Sequence, residues 1–147
     1  MKRSKRLQPV VMHAKNKEQD AARIFVQAQQ RVTDSEEQLQ QLESFREDYL
    51  LRYKMASQQL GSMSQMLDYQ AFLAKLNKGI GQANQTIHMC RQQRDILKQQ
   101  WLQHRVRSQA LENVVEKYQH DENKQLLHLE QMELEEFSQQ RFHHKSD

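Results

Sequence analysis

Glycine, proline and cysteine are nearly absent from this sequence, which has 3 Gly, 1 Pro and 1 Cys among 147 residues. Disordered chains are usually rich in Pro, Gly and Ser, so this shortage argues against disorder, the first alternative for a chain this polar. The lone Cys90 excludes an intramolecular disulfide and is consistent with a reducing compartment.

Apolar residues are also scarce: 37% of the residues are hydrophobic and the mean hydropathy is -1.02. They are too few for a thick globular core but sufficient for the narrow seam of a coiled coil. No apolar run approaches the ~20 residues that span a bilayer. The basic opening has no apolar core of signal-peptide length, so we expect a cytoplasmic protein without membrane insertion.

Good helix formers dominate the chain. Apolar residues repeat every 3.5 residues from Leu7, which is typical of a coiled-coil helix. Only Glu18, Ser35 and Arg46 interrupt this series. It predicts a first helix over about 10–60 with Pro9 in its first turn. The positions of the series are Leu7, Val11, Ala14, Glu18, Ala21, Phe25, Ala28, Val32, Ser35, Leu39, Leu42, Arg46, Tyr49, Tyr53, Ala56 and Leu60.

A turn is predicted over 61–64, with Gly61 as the C-terminal cap of the first helix. Ser62 and Gln65 have capping-box spacing, and Ser64 is the alternative N-cap of the second helix.

A second heptad series predicts a helix over about 64–142. Gly79 and Gly81 lie inside it, where they could allow a bend or a close contact. The positions of the series are Tyr69, Leu73, Leu76, Ile80, Ala83, Ile87, Cys90, Arg94, Leu97, Trp101, His104, Ser108, Leu111, Val115, Tyr118, Glu122, Gln125, Leu129, Met132 and Glu136.

The two series predict an all-α fold, a long two-helix antiparallel coiled coil that forms a single domain over 1–147. A short turn selects the register that places Tyr49 opposite Leu76, Ser35 opposite Cys90 and Phe25 opposite Trp101. In this register the first helix ends near Leu7, so the second helix is unpaired from about 119.

The unpaired end is both apolar and acidic, and the basic amino-terminal arm lies beside it in this register. That many apolar residues are unusual on a helix alone in water, so the sequence predicts a docking end. The apolar residues are Leu126, Leu127, Leu129, Met132, Leu134 and Phe137; the acidic ones are Asp121, Glu122, Glu130, Glu133, Glu135 and Glu136, and the arm carries Lys2, Arg3, Lys5 and Arg6.

No catalytic constellation, phosphate-binding loop or zinc-type spacing is present, so we expect no enzyme activity, no cofactor and no metal site. Cys90 is interpreted as a small seam residue, and His143 with His144 as a solvated tail. Arg94 and His104 fit polar seam layers, and Trp101 fits a bulky core layer. A basic cluster (Arg91, Arg94, Lys98, Arg105 and Arg107) leaves nucleic-acid binding as an alternative function, but Glu and Gln are mixed along the same helices, which favours a solvated charged face.

Aromatic and apolar residues crowd the part of the coiled coil near the turn. They number more than a two-stranded seam can bury, which indicates either a locally wider core or a surface patch for a protein partner, the second being favoured. The residues are Phe45, Leu50, Tyr69, Phe72, Leu73 and Leu76.

Several short segments, spread over nearly the whole length, match a known family in order and spacing. The most specific is Tyr69-Gln70-Ala71-Phe72-Leu73, continued by Leu76 and Ile80. The others are Leu7-Gln8-Pro9-Val10-Val11, Asp20-Ala21-Ala22-Arg23, Glu36-Glu37-Gln38-Leu39 with Leu42, Phe45 and Tyr49, Trp101, and Glu136-Phe137-Ser138-Gln139-Gln140-Arg141. Through these segments the chain resembles the FliJ family of the bacterial flagellar type III export apparatus.

The resemblance implies a coiled coil similar to the shaft of the rotary ATPase γ subunit. It also implies a cytoplasmic role in flagellum biogenesis, motility and chemotaxis, peripheral to the inner membrane at the flagellar base. The implied partners are the hexameric export ATPase, the transmembrane export-gate protein and export chaperones, with no nucleic acid and a monomeric free state. The alternatives are a basic nucleic-acid-binding coiled coil and a self-associating structural protein.

By resemblance, the end that holds the termini binds the ATPase, and the unpaired helix there carries Leu126, Leu129, Met132, Phe137 and Arg141. The gate-binding patch is implied at Gln38, Leu42, Phe45, Tyr49, Phe72 and Leu76. Phe45 replaces a tyrosine of the family pattern, and Gly79 and Ala83 depart from it at one edge.

Overall fold

The computed structural model describes residues 2–58 and 62–146 and contains two long helices packed against each other. Helix α1 spans Arg3–Gln58 (56 residues) and helix α2 spans Met63–Ser146 (84 residues). The chain divides into two compact units, Ala21–Trp101 and Met1–Asp20 with Leu102–Asp147. The predicted fold class, an all-α antiparallel helical hairpin coiled coil, is confirmed.

Burial follows the predicted heptad positions in each unit. In the unit Ala21–Trp101, Ala28, Val32 and Ile87 are buried between the helices; in the other unit, Ala14 and Val115 are. The series on α2 stays at least half-buried as far as Glu122, and its last four members are exposed. The 3.5-residue period therefore identifies the buried face of both helices, because only side chains in step with it stay turned toward the partner helix.

Cross-helix contacts fix the predicted register within each unit. The Phe25 and Trp101 rings lie 5.6 Å apart, and Ser35 Oγ lies 3.8 Å from Cys90 Sγ. In the other unit, Lys15 Nζ lies 3.9 Å from a carboxylate oxygen of Glu112.

Helix α2 starts with a side-chain cap. The backbone N–H of Gln65 donates a hydrogen bond to Ser62 Oγ at 3.2 Å, which makes Ser62 the N-cap, as the capping-box spacing predicted, in place of Ser64. The predicted helix cap at Gly61 lies outside the described residues.

Helix α1 starts at Arg3, earlier than the predicted start near residue 10. Pro9 is therefore inside the helix and not in its first turn; it has no N–H to donate to the Lys5 carbonyl, which ordinarily disfavours such a position. The first turn is closed by a hydrogen bond from Arg6 N–H to the Lys2 carbonyl (3.1 Å) and by contacts of Ser4 with Glu122. Sequence reasoning missed this start because the stabilising partner is distant in the chain.

Gly79 and Gly81 lie within α2, and a Cβ built at either position meets no heavy atom within 4 Å. The expectation that they permit a close contact within the described chain is therefore wrong. Across residues 2–58 and 62–146, neither helix has a stretch that is both long and apolar enough to cross a membrane.

Candidate functional site

Five aromatic rings from both helices form a continuous cluster within the unit Ala21–Trp101. Tyr49 is its centre: its ring lies 4.6 Å from Phe72 and 5.3 Å from Tyr69. Phe45 lies 6.4 Å from Tyr49 and 6.2 Å from Phe72, and Tyr53 lies 5.7 Å from Tyr69. These separations lie in the range of favourable aromatic pairs, so the rings hold one another in place.

Helical spacing explains the cluster. Phe45, Tyr49 and Tyr53 follow one another at intervals of four residues on α1, while Tyr69 and Phe72 are three apart on α2. Residues at these intervals share a helix face, so the two rows of rings meet across the seam.

The outer edge of the cluster is open to solvent. Phe45 is 48% exposed and Phe72 is 41% exposed, whereas Tyr49 is half-buried. Both phenylalanines therefore present ring surface that the coiled coil leaves uncovered. We call Phe45, Tyr49, Tyr53, Tyr69 and Phe72 the aromatic patch.

The structure brings together only part of the predicted gate-binding set. Phe45, Tyr49 and Phe72 touch directly, and Gln38 is exposed about two helical turns before Phe45 on α1. Leu76, however, is only 9% exposed, so it supports the patch from the seam and offers little surface itself. Leu42 is half-buried and, like Leu76, lies in the seam between the helices.

Tyr53 was missed as a patch residue because it was counted only as a seam position. Its hydroxyl oxygen accepts a hydrogen bond from Gln70 Nε2 at 3.2 Å, which fixes the polar edge of the patch. The signal in the sequence was the i, i+4, i+8 row of aromatics, which a seam alone does not require.

The hydroxyl of Tyr49 stays protonated well into the alkaline range. Burial raises its pKa above the ordinary value, and the nearby Tyr69 and Asp68 raise it further. Tyr49 therefore offers a neutral hydroxyl to any partner at physiological pH.

Three further residues that the sequence singled out, Trp101, Arg91 and Arg94, have structural contacts. Trp101 stacks on Phe25 with an angle of 3° between the rings, which forms a core layer. Arg91 pairs with Glu36 at 2.9 Å, and Arg94 pairs with Asp95 at 3.1 Å, so these two members of the basic cluster are partly neutralised.

The unit that contains both termini has a cap that joins the helices. The Glu122 carboxylate accepts two hydrogen bonds from Ser4, one from the backbone N–H (3.2 Å) and one from the hydroxyl (2.6 Å). Arg3 lies over the Tyr118 ring at 5.8 Å from its centre. Pairing therefore reaches Glu122 and does not stop near Tyr118.

The Glu122 carboxylate is favoured in its charged form. The Ser4 hydroxyl bond is the largest cause that lowers its pKa; burial opposes this, while the Ser4 N–H and Lys2 act in the same direction as the hydroxyl. A negative charge at the start of α1 also interacts favourably with the helix dipole.

Beyond Glu122, every side chain from residue 123 to residue 143 is exposed. The predicted ATPase-binding residues all lie on this segment, which we call the carboxy-terminal arm (residues 123–143). Arg141 lies 6.0 Å from the centre of the Phe137 ring. The exposed apolar residues are Leu126, Leu127, Leu129, Met132, Leu134, Phe137 and Phe142.

The fold and these two surfaces define a helical-hairpin protein that exposes large apolar side chains on both of them. The model of the Flagellar FliJ protein family matches residues 3–147, and the chain belongs to that family. Comparison with curated proteins gives no match, and comparison with solved structures gives none either. The predicted resemblance is confirmed, and the chain is a component of the flagellar export apparatus, in a family of structural and export components.

Proposed function

We propose that this chain acts as a stalk-like component that binds the hexameric flagellar export ATPase, promotes its assembly and contacts the transmembrane export gate. It performs no hydrolysis of its own and works from the cytoplasmic face of the inner membrane as a monomer when free. The observation that carries the proposal is the carboxy-terminal arm, a helix with seven exposed apolar side chains and no covering partner among the described residues.

Exposed apolar side chains on a single helix favour contact with a partner that surrounds it. The arm has them on more than one side: residues such as Leu129 and Met132 continue the seam, while Leu127, Leu134 and Phe137 lie elsewhere on the helix. A ring of subunits offers contacts on several sides at once, which suits this distribution better than a flat partner surface does.

Charge gives the arm a second means of recognition. Glu130, Glu133, Glu135 and Glu136 are exposed and outnumber Lys124 and Arg141. We expect the contacting surface of the ATPase to be basic around an apolar interior, because complementary charges raise the association rate and select the partner.

The aromatic patch is the proposed contact for the export gate. Phe45 and Phe72 are exposed, rigidly supported by neighbouring rings and close to polar groups, the properties of residues that dominate binding energy at interfaces. We also propose a role in cycling export chaperones, which the family resemblance supports, and we assign no surface to it.

The test uses four substitutions on the arm of the full chain, Leu126→Gln, Leu129→Gln, Met132→Gln and Phe137→Gln together. We expect ATPase binding and stimulation to fall by at least ~100-fold, because buried apolar contacts at an interface centre each contribute about 1 kcal/mol or more. Binding to the gate protein should persist.

The matched control replaces exposed apolar residues elsewhere, Ile24→Gln, Val26→Gln, Met89→Gln and Ile96→Gln, and should bind the ATPase normally. Full ATPase binding by the arm variant would overturn the assignment. A truncation after Glu122 is a second test of the same assignment, because it removes the carboxy-terminal arm and keeps the Ser4–Glu122 contact.

A further inference from the structure

Positive charge is concentrated at the start of the chain. Residues 1–17 contain 6 Lys and Arg and no Asp or Glu, whereas the other 130 residues carry 16 Lys and Arg against 19 Asp and Glu. The net charge of +3 is therefore the difference between a strongly basic opening and a mildly acidic remainder.

The structure places three of these six charges, those of Lys5, Arg6 and Lys17, on the exposed side of α1. Ser4, Leu7, Val11 and Ala14 form the inner face of this segment and are buried or half-buried. With 3.6 residues per turn and a rise of 1.5 Å per residue, the opposite side forms an exposed strip roughly 18 Å long. We call this strip the basic face, and its residues are Lys5, Arg6, Met12, His13 and Lys17.

Acidic groups in the same unit do not neutralise most of the basic face. Glu112 pairs with Lys15, which is outside the face, and Glu122 is bonded to Ser4, with Lys2 nearby. In the part of the chain that the structure describes, Lys5, Arg6 and Lys17 form no ion pair within 4.0 Å. Their charges are directed to solvent and are available to an external anion.

The basic face also carries apolar surface. Met12 is 63% exposed, and Val10, at its border, is 43% exposed. Helices that lie on a membrane combine basic residues with exposed apolar side chains that enter the headgroup region. Single-stranded nucleic acids, in contrast, stack on aromatic side chains, and residues 1–17 contain none.

We propose that the basic face binds the surface of an anionic phospholipid membrane, with Lys and Arg against the headgroup phosphates and Met12 in the interfacial layer. This contact is independent of the proposed ATPase and gate contacts. It gives the chain its own affinity for the cytoplasmic leaflet, where anionic lipids attract basic segments.

The test measures partitioning of the full chain onto vesicles of phosphatidylcholine alone and of phosphatidylcholine with phosphatidylglycerol. We expect binding only to the anionic vesicles, and weaker binding as salt increases. The variant Lys5→Gln, Arg6→Gln and Lys17→Gln should lower the partition coefficient about 100-fold, since each charge contributes roughly fivefold near an anionic surface.

The matched control removes the same charge elsewhere, Lys75→Gln, Lys78→Gln and Lys98→Gln, all at exposed positions, and should bind within about twofold of the wild type. Met12→Gln should lower vesicle binding about threefold without changing net charge. Equal losses in both triple variants, or no binding of wild type to anionic vesicles, would overturn the proposal. Binding to duplex DNA that depends on the basic face but not on Met12, without vesicle binding, would assign the face to nucleic acid instead.

Discussion

Glu122, on helix α2, stabilises the first turn of the other helix, α1. It occupies a heptad position, yet its carboxylate reaches the first turn of α1 and accepts both hydrogen bonds that Ser4 can donate there. Helix starts leave unsatisfied N–H groups, and here one of them is satisfied across the interface and not by a local cap.

The Ser4–Glu122 contact predicts a pH dependence. Because the folded-state pKa of Glu122 is lowered, the contact contributes stability above the unfolded-state pKa of a glutamate, and this is lost as the pH falls through the folded-state pKa. Hydrogen exchange at the Ser4 amide should therefore be slower in the wild type than in Glu122→Gln near neutral pH, with the difference disappearing in acid. A difference that persists below the folded-state pKa would contradict the charged cap.

Ser108 places a polar hydroxyl in the buried seam. It is 1% exposed, and its hydroxyl has no hydrogen-bond partner within the described part of the chain. We expect Ser108→Ala to stabilise the protein by roughly 1–2 kcal/mol, from removal of the unsatisfied hydroxyl together with the higher helix propensity of alanine. Urea unfolding measures this; the exposed control Ser44→Ala should gain only the propensity part, about 0.5 kcal/mol. Equal gains at both sites would show that the buried hydroxyl costs nothing.

At the scale of the helices, the sequence predicts the seam well because the heptad repeat is a local property of each helix. Every predicted position from Leu7 to Ala56 is buried or half-buried. The start of α1 and the reach of pairing to Glu122 could not be predicted in this way, because they depend on a contact between residues 118 positions apart. The aromatic patch was predicted in part. Phe45 and Phe72 lie outside the heptad series, which identified them as extra apolar surface. Tyr53 belongs to the series, so its position gave no sign that it also contacts the patch.

The start of α2 gives a test at this scale. Ser62→Ala should destabilise the protein by about 1 kcal/mol, because the Gln65 N–H loses its side-chain acceptor. Ser64→Ala, the alternative cap considered from the sequence, should have little effect or stabilise slightly. Thermal unfolding of the two variants separates the alternatives, and a larger loss at Ser64 would assign the cap there.

At the scale of the whole molecule, the residues that hold the helices together differ from those of the proposed partner contacts. The buried seam residues hold the helices together, while the aromatic patch and the carboxy-terminal arm leave large side chains exposed. Substitutions at these surfaces are therefore expected to change partner binding much more than unfolding.

The aromatic patch tests that separation. Phe45→Ala with Phe72→Ala should weaken binding to the export-gate protein by ~30-fold or more, since truncation of two central aromatic residues costs at least about 2 kcal/mol. ATPase binding should be unchanged. Leu51→Ala with Met55→Ala, which removes exposed apolar surface from α1 outside the patch, serves as the control. Equal loss of gate binding in both double variants would remove the specific role of the rings.

The Ser4–Glu122 contact also bears on the order in which the protein folds. Contacts near the turn join residues close in sequence, such as the 17 positions between Tyr53 and Gln70, whereas Ser4 and Glu122 close a loop of 118. Loop-closure entropy grows with this separation, so pairing should begin at the turn and advance toward the termini. The first turn of α1 is then completed last, and a nascent chain cannot acquire its capped amino terminus until synthesis has passed Glu122.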